Sequence, residues 1–366
     1  MKMKKISGLV ALLLASTMLL SGCGGAKEEA QTDASGADKP NIAILLNGTL
    51  GDKAFYDSAA NGGKMIQDQL GAEVKVVEMT YDETKWMPTL LEFSDDPETD
   101  IIIVGTWQMV EKLQEVAPQY PDKKYIIFDS AVDYSLGGLD NVYSIEYKQN
   151  ECSFLAGAVA ASATKTGTIG FVGGMENNVI NDFLVGYIQG AKQVKEDIKM
   201  SIGYVGNFND SAKAKELTLA QINQNADIIY QVASTAGLGV IDGATEKDKF
   251  AIGVDSDKAA AFMETDKVKA EHILTSALKR VDESLFRAIQ LEQEGKLTWG
   301  AKEVLGISEG CVGIAKNDIY KANVSAETVT MIDELEKGIL DGSVVVDTAF
   351  GKSTDEIQAI KSSVRP

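Results

Sequence analysis

The chain has 366 residues, 45% of them hydrophobic and 24% charged, enough to bury the cores of two ordinary domains. Its formal charge of -19 excludes a polyanion such as nucleic acid as a partner, because that requires clustered lysine and arginine. A single histidine, His272, leaves a Ser-His-Asp triad or a multi-histidine metal site little to draw on.

The first five residues, MKMKK, are a positive n-region, and Ile6 to Leu20 form an apolar stretch too short for a confident membrane span. Leu20-Ser21-Gly22-Cys23 is similar to a bacterial lipobox. That likeness implies a lipoprotein signal peptide over residues 1–22 and a lipid on the Cys23 sulfur. The mature protein would then be anchored on the extracytoplasmic face of the cell membrane. Residues 23–40, rich in Gly, Ala, Ser and charge, read as a flexible tether.

From Asn41 a regular alternation begins. The spacing predicts strands over 41–48, 74–79, 100–106, 123–130 and 141–148, with helices over 54–70, 84–93, 108–117 and 153–163. The order then restarts, with strands over 168–175, 199–208, 226–234 and 249–257 and helices over 178–194, 213–224 and 237–247. A strand and turn over 270–279, a helix to about 294, one or two strands over 302–316 and a helix over 325–340 complete the pattern. Strand–helix repetition of this kind builds parallel sheets through right-handed crossovers.

The halves keep register. Ile42 and Asp100 are separated by the same interval as Ile169 and Asp227, and Ile42 to Asp129 exceeds Ile169 to Asp255 by one residue. YIIFDS answers FAIGVDS at the ends of the fourth strands. This predicts an α/β protein of two Rossmann-like lobes, residues 41–145 plus about 276–305 and residues 146–275 plus about 306–366, with a hinge of several crossings. Hinged lobes of this type close around a ligand.

In open α/β sheets, ligands bind beyond the carboxyl ends of the strands. Asp129 and either Asp255 or Asp257 are carboxylates at such ends, Asp255 being the counterpart of Asp129, and Trp107 follows another strand directly. The glycines of AGLGVIDGA are spaced GxGxxxG, not as a dinucleotide fingerprint. No nucleophile–base pair, metal cluster or cofactor motif stands out, so catalysis is not expected. Cys152 and Cys311 sit in apolar contexts and read as buried thiols, a disulfide between them remaining the alternative.

SIEYKQNECSFLAGAVAA, GFVGGM, YVGNFND, ADIIYQVASTAGLGV, IGVDSD and LTSALKRVDESL, in this order, together resemble the basic membrane protein family. These are lipoprotein substrate-binding components of ABC importers, and the family includes purine-nucleoside receptors. The resemblance implies the type I periplasmic-binding-protein fold, an ABC permease as partner, a monomer and no cofactor. It implies that Phe55 stacks on a base, that Asp52 helps read the base edge, and that Gly237, Asp255 or Asp257, and Lys279 face the ribose, with Asp129 as a further site carboxylate. Phe208 is the choice for the second stacking ring; Phe183, placed after Ile169 much as Phe55 is after Ile42, is its competitor. The family loop similar to Asp-x-Ser-Phe-Asn-Gln reads Asp52-Lys53-Ala54-Phe55-Tyr56-Asp57, and these altered neighbours bear on the choice of a purine rather than on nucleoside binding itself; a sugar, a riboflavin-like heteroaromatic or a signalling molecule is the alternative ligand.

Overall fold

The computed structural model describes residues 39–366. The expected signal peptide, Cys23 and all but the end of the expected tether lie outside the described residues. Two six-stranded sheets carry the fold. The first contains β1 (Asn41–Leu46), β2 (Glu73–Glu78), β3 (Ile101–Gly105), β4 (Lys124–Phe128), β5 (Val142–Tyr147) and β11 (Ala301–Leu305), ordered β11-β5-β4-β3-β1-β2. The second contains β6 (Thr168–Gly173), β7 (Lys199–Tyr204), β8 (Ile228–Val232), β9 (Phe250–Asp255), β10 (Ile273–Lys279) and β12 (Val312–Ile314), ordered β12-β10-β9-β8-β6-β7. The orders are the same when each strand is matched to its counterpart, so the duplicated register in the sequence is a duplicated topology. Pairing is parallel throughout except for β12, which runs antiparallel to β10.

Alternation along the strands explains the layers. In the first sheet, Ala43, Leu45, Ile102, Val104 and Ile127 pack toward one face with Leu90 and Leu113 of the covering helices. Ile42, Ile44, Ile103 and Ile126 pack toward the other with Ala59, Leu285 and Ile289. The second lobe is held by an unusually close pair of helices, Gln149–Ala163 and Asn178–Val194. A Cβ on Gly190 would overlap the Phe154 carbonyl oxygen, and one on Gly157 the Tyr187 carbonyl oxygen, so both positions require glycine.

The chain crosses between lobes after β5, after β10 and between β11 and β12. The second crossing differs from the expected boundary at about 276. β10 pairs with β9 and β12 as far as Lys279, so the second sheet keeps these residues and delivers Lys279 to the interface. Four short helices lay outside the predicted pattern: Lys258–Met263, Lys267–Glu271, Asp318–Asn323 and Thr354–Ser362. The first three are too short to show a period of 3.6 residues. Cys152 and Cys311 are buried and free.

Candidate functional site

Strand ends from both sheets meet around one cavity, which encloses about 550 Å³ of atom-free space including its mouth. The expected residues Phe55, Trp107, Asp129, Phe183, Phe208, Asp255 and Lys279 all line it. The paired carboxylates are alike in backbone as well as position: Asp129 has φ 63° and Asp255 φ 66°, the left-handed region that aspartate tolerates better than most residues. Each strand therefore ends in a sharp reversal that leaves its carboxylate at the rim.

Lys279 lies between them, its Nζ 2.7 Å from Asp129 and 3.8 Å from Asp255. Because Lys279 ends a strand of the second sheet and Asp129 one of the first, this contact spans the lobes. The ammonium also stands 4.9 Å from the ring centre of Phe55 and 5.0 Å from that of Phe183, within cation–π range of both. Burial opposes the Lys279 charge, but the two carboxylates outweigh it and hold the ammonium above its usual range. Burial pushes Asp255 up to about 6, against the pull of Lys279 and Lys258. The site is thus a buried carboxylate–ammonium–carboxylate row under an aromatic wall, poor in positive charge and rich in hydrogen-bond acceptors. It suits a neutral ligand with a flat ring and hydroxyl groups, and it would repel a phosphate.

Both candidate second rings line the cavity. Phe183 stands about as close to the Lys279 ammonium as Phe55 does, while Phe208 packs over Gly174, where a Cβ would overlap its ring. Trp107 is 43% exposed and stands at the mouth.

Three expected residues stand off the cavity wall. The Asp52 carboxylate accepts from the backbone N–H groups of Ala54, Tyr56 and Asp57 and from the Ser234 hydroxyl, 3.0 Å away. Its acceptor sites are spent on the start of helix Phe55–Met65 and on the opposite lobe, so it positions Phe55 rather than facing the cavity. Asp257 caps helix Lys258–Met263 through the Ala260 N–H and accepts from Asn317 Nδ2, at 2.9 and 3.0 Å. Gly237 opens helix Gly237–Glu246 against Gln231, whose amide a Cβ there would strike.

Sequence reasoning missed Thr106, Gln108, Asn177 and Ser234, which line the cavity in the segments that follow strands β3, β6 and β8. The strand-end rule that found Trp107 would have found its two neighbours. Thr106 has φ 72° and ψ 157°, a region normally left to glycine, and its hydroxyl accepts from Asn47 Nδ2 at 2.8 Å. That strained turn sets Trp107 and Gln108 over the opening.

The family model described as ABC transporter substrate-binding protein, PnrA-like, matches residues 39–349. Basic membrane protein A of Borreliella burgdorferi is 30% identical over 92% of this chain and 94% of its own length. The ABC transporter nucleoside-binding protein BmpA of Lactococcus lactis is 29% identical over 94% of this chain and 99% of its own. Among solved structures, an ABC transporter solute-binding protein from Aeropyrum pernix superposes with a TM-score of 0.76 at 24% identity, covering 88% of this chain and 98% of that one.

Proposed function

This chain belongs to the family of PnrA-like ABC transporter substrate-binding proteins, and from that premise we propose that it captures a nucleoside, with a purine as base, and hands it to its importer. The observation that carries this reading is the Asp129–Lys279–Asp255 row set beneath Phe55 and Phe183. Carboxylates accept charge-assisted hydrogen bonds from a ribose diol, and the rings supply stacking worth about 1–3 kcal/mol per base. The nucleoside-binding relative from Lactococcus lactis supports the same ligand class.

The ligand rests with its base among Phe55, Phe183 and Phe208 and its ribose toward Asp129, Asp255 and Lys279, with Trp107 at the mouth. No bond is made or broken; lobe closure excludes water and lobe opening releases the cargo. The protein works as a monomer on the outer face of the cell membrane, held there by a lipid on Cys23, and the permease receives the nucleoside. Replacing Cys23 by Ala should move the protein from the membrane fraction to the medium.

Isothermal titration with adenosine, guanosine, inosine, cytidine, uridine, galactose and riboflavin tests the ligand class. Saturable binding of a purine nucleoside is expected. Heat from galactose or riboflavin with none from any nucleoside would overturn it.

A further inference from the structure

We propose that Lys258 is the latch of the cleft, a positioning residue that stays off the ligand and fastens the first lobe's ligand loop to the second lobe. The inference rests on family membership for lobe closure and on the nucleoside reading only for the choice of probe.

Lys258 opens helix Lys258–Met263 just after β9 and is fully buried, yet it does not line the cavity. Its Nζ donates to the backbone carbonyls of Asp52, at 2.7 Å, and Lys53, at 2.5 Å, both in the loop between β1 and helix Phe55–Met65 of the other lobe. Lys53 has φ 51°, and this left-handed turn brings the two successive carbonyls onto one ammonium. The Ser256 hydroxyl also donates to the Lys53 carbonyl, and Ser234 reaches across to the Asp52 carboxylate. Lobe 2 thus holds by three side chains the turn that leads into Phe55.

The energetics favour a reversible fastening. A buried ammonium is costly unless its donors are met, and both hydrogen bonds made by this Nζ go to the opposite lobe. Parting the lobes returns the ammonium to water and frees the loop together. The charges facing Lys258 are Asp52, Asp57 and Lys53 from the first lobe and Asp255 from β9. Burial outweighs the carboxylates and brings the lysine down to about 8 from an ordinary 10.5.

The test compares the full chain with K258M and with K258Q, which keeps an N–H donor. Hydrogen exchange is followed in the peptide 47–57, with and without adenosine. K258M should exchange about tenfold faster in this loop of the opposite lobe and release adenosine about 10- to 100-fold faster, with K258Q between. Unchanged loop exchange together with unchanged release in both variants would overturn the latch. If wild type binds no nucleoside, the ligand reading fails, and the exchange measurement alone still decides on the latch.

Discussion

At the scale of single residues, the cavity separates side chains that would touch a ligand from side chains that hold those in place. Phe55 belongs to the first group: it is buried, lines the cavity and faces the Lys279 ammonium. Phe55→Ala should weaken nucleoside binding about 10- to 100-fold by titration calorimetry, with the circular dichroism spectrum unchanged. Asp255 gives a prediction in pH. Burial raises its carboxyl to about 6, so falling pH neutralises it in the folded protein before it would in the unfolded chain. For the fold, this group adds stability as pH drops from about 6 toward its ordinary 3.8. For the ligand, the same protonation removes an acceptor, so affinity should fall through pH 6 while this carboxyl works for the fold. Asp255→Asn should lose affinity and flatten that acid limb, without loss of melting temperature at pH 7.

At the scale of elements, tight packing decides how rigid each side of the cleft is. Helices Gln149–Ala163 and Asn178–Val194 meet backbone to backbone through Gly157, Gly186 and Gly190. Gly190→Ala should force them apart and destabilise the second lobe by about 1–3 kcal/mol in urea unfolding, because a close-packed core has no room to yield. The short helices show how local chemistry can outweigh periodicity. Ser353 and Glu356 form a capping box at the head of helix Thr354–Ser362, a signature present in the sequence as Ser-Thr-Asp-Glu and not read there. Asp257 was the alternative to Asp255 as the carboxylate delivered to the cleft at this strand end; its side chain caps the next helix, since an aspartate just before a helix is a strong N-cap.

At the scale of the whole molecule, two lobes joined by three crossings act as one clamp. Lys279–Asp129 joins them in the cavity, Ser234 reaches the Asp52 carboxylate from the cavity wall, and Lys258 and Ser256 grip the Asp52–Lys53 turn away from it. A ligand that favours the joined arrangement adds to stability by mass action. A nucleoside at 100 times its dissociation constant should therefore contribute about 2.7 kcal/mol, read as a rise in melting temperature that scales with the logarithm of its concentration.

Much of this arrangement was legible in the chain itself. The interval repeated between Ile42–Asp100 and Ile169–Asp227 implied two copies of one sheet, and the structure has them. The strand ends YIIFDS and FAIGVDS placed Asp129 and Asp255 at the cleft, because a buried strand that stops at a carboxylate must present it at the sheet's rim. Tertiary structure alone decided which nearby polar groups face the cavity and which are spent elsewhere. Asp52 and Asp257 have the right position along the chain, but backbone N–H groups and Asn317 claim their oxygens. Lys258 carries no local mark, because its partners lie more than 200 residues earlier in the chain. Periodicity and spacing encode which face of an element is buried. The partner of a buried charge is chosen only when distant segments meet.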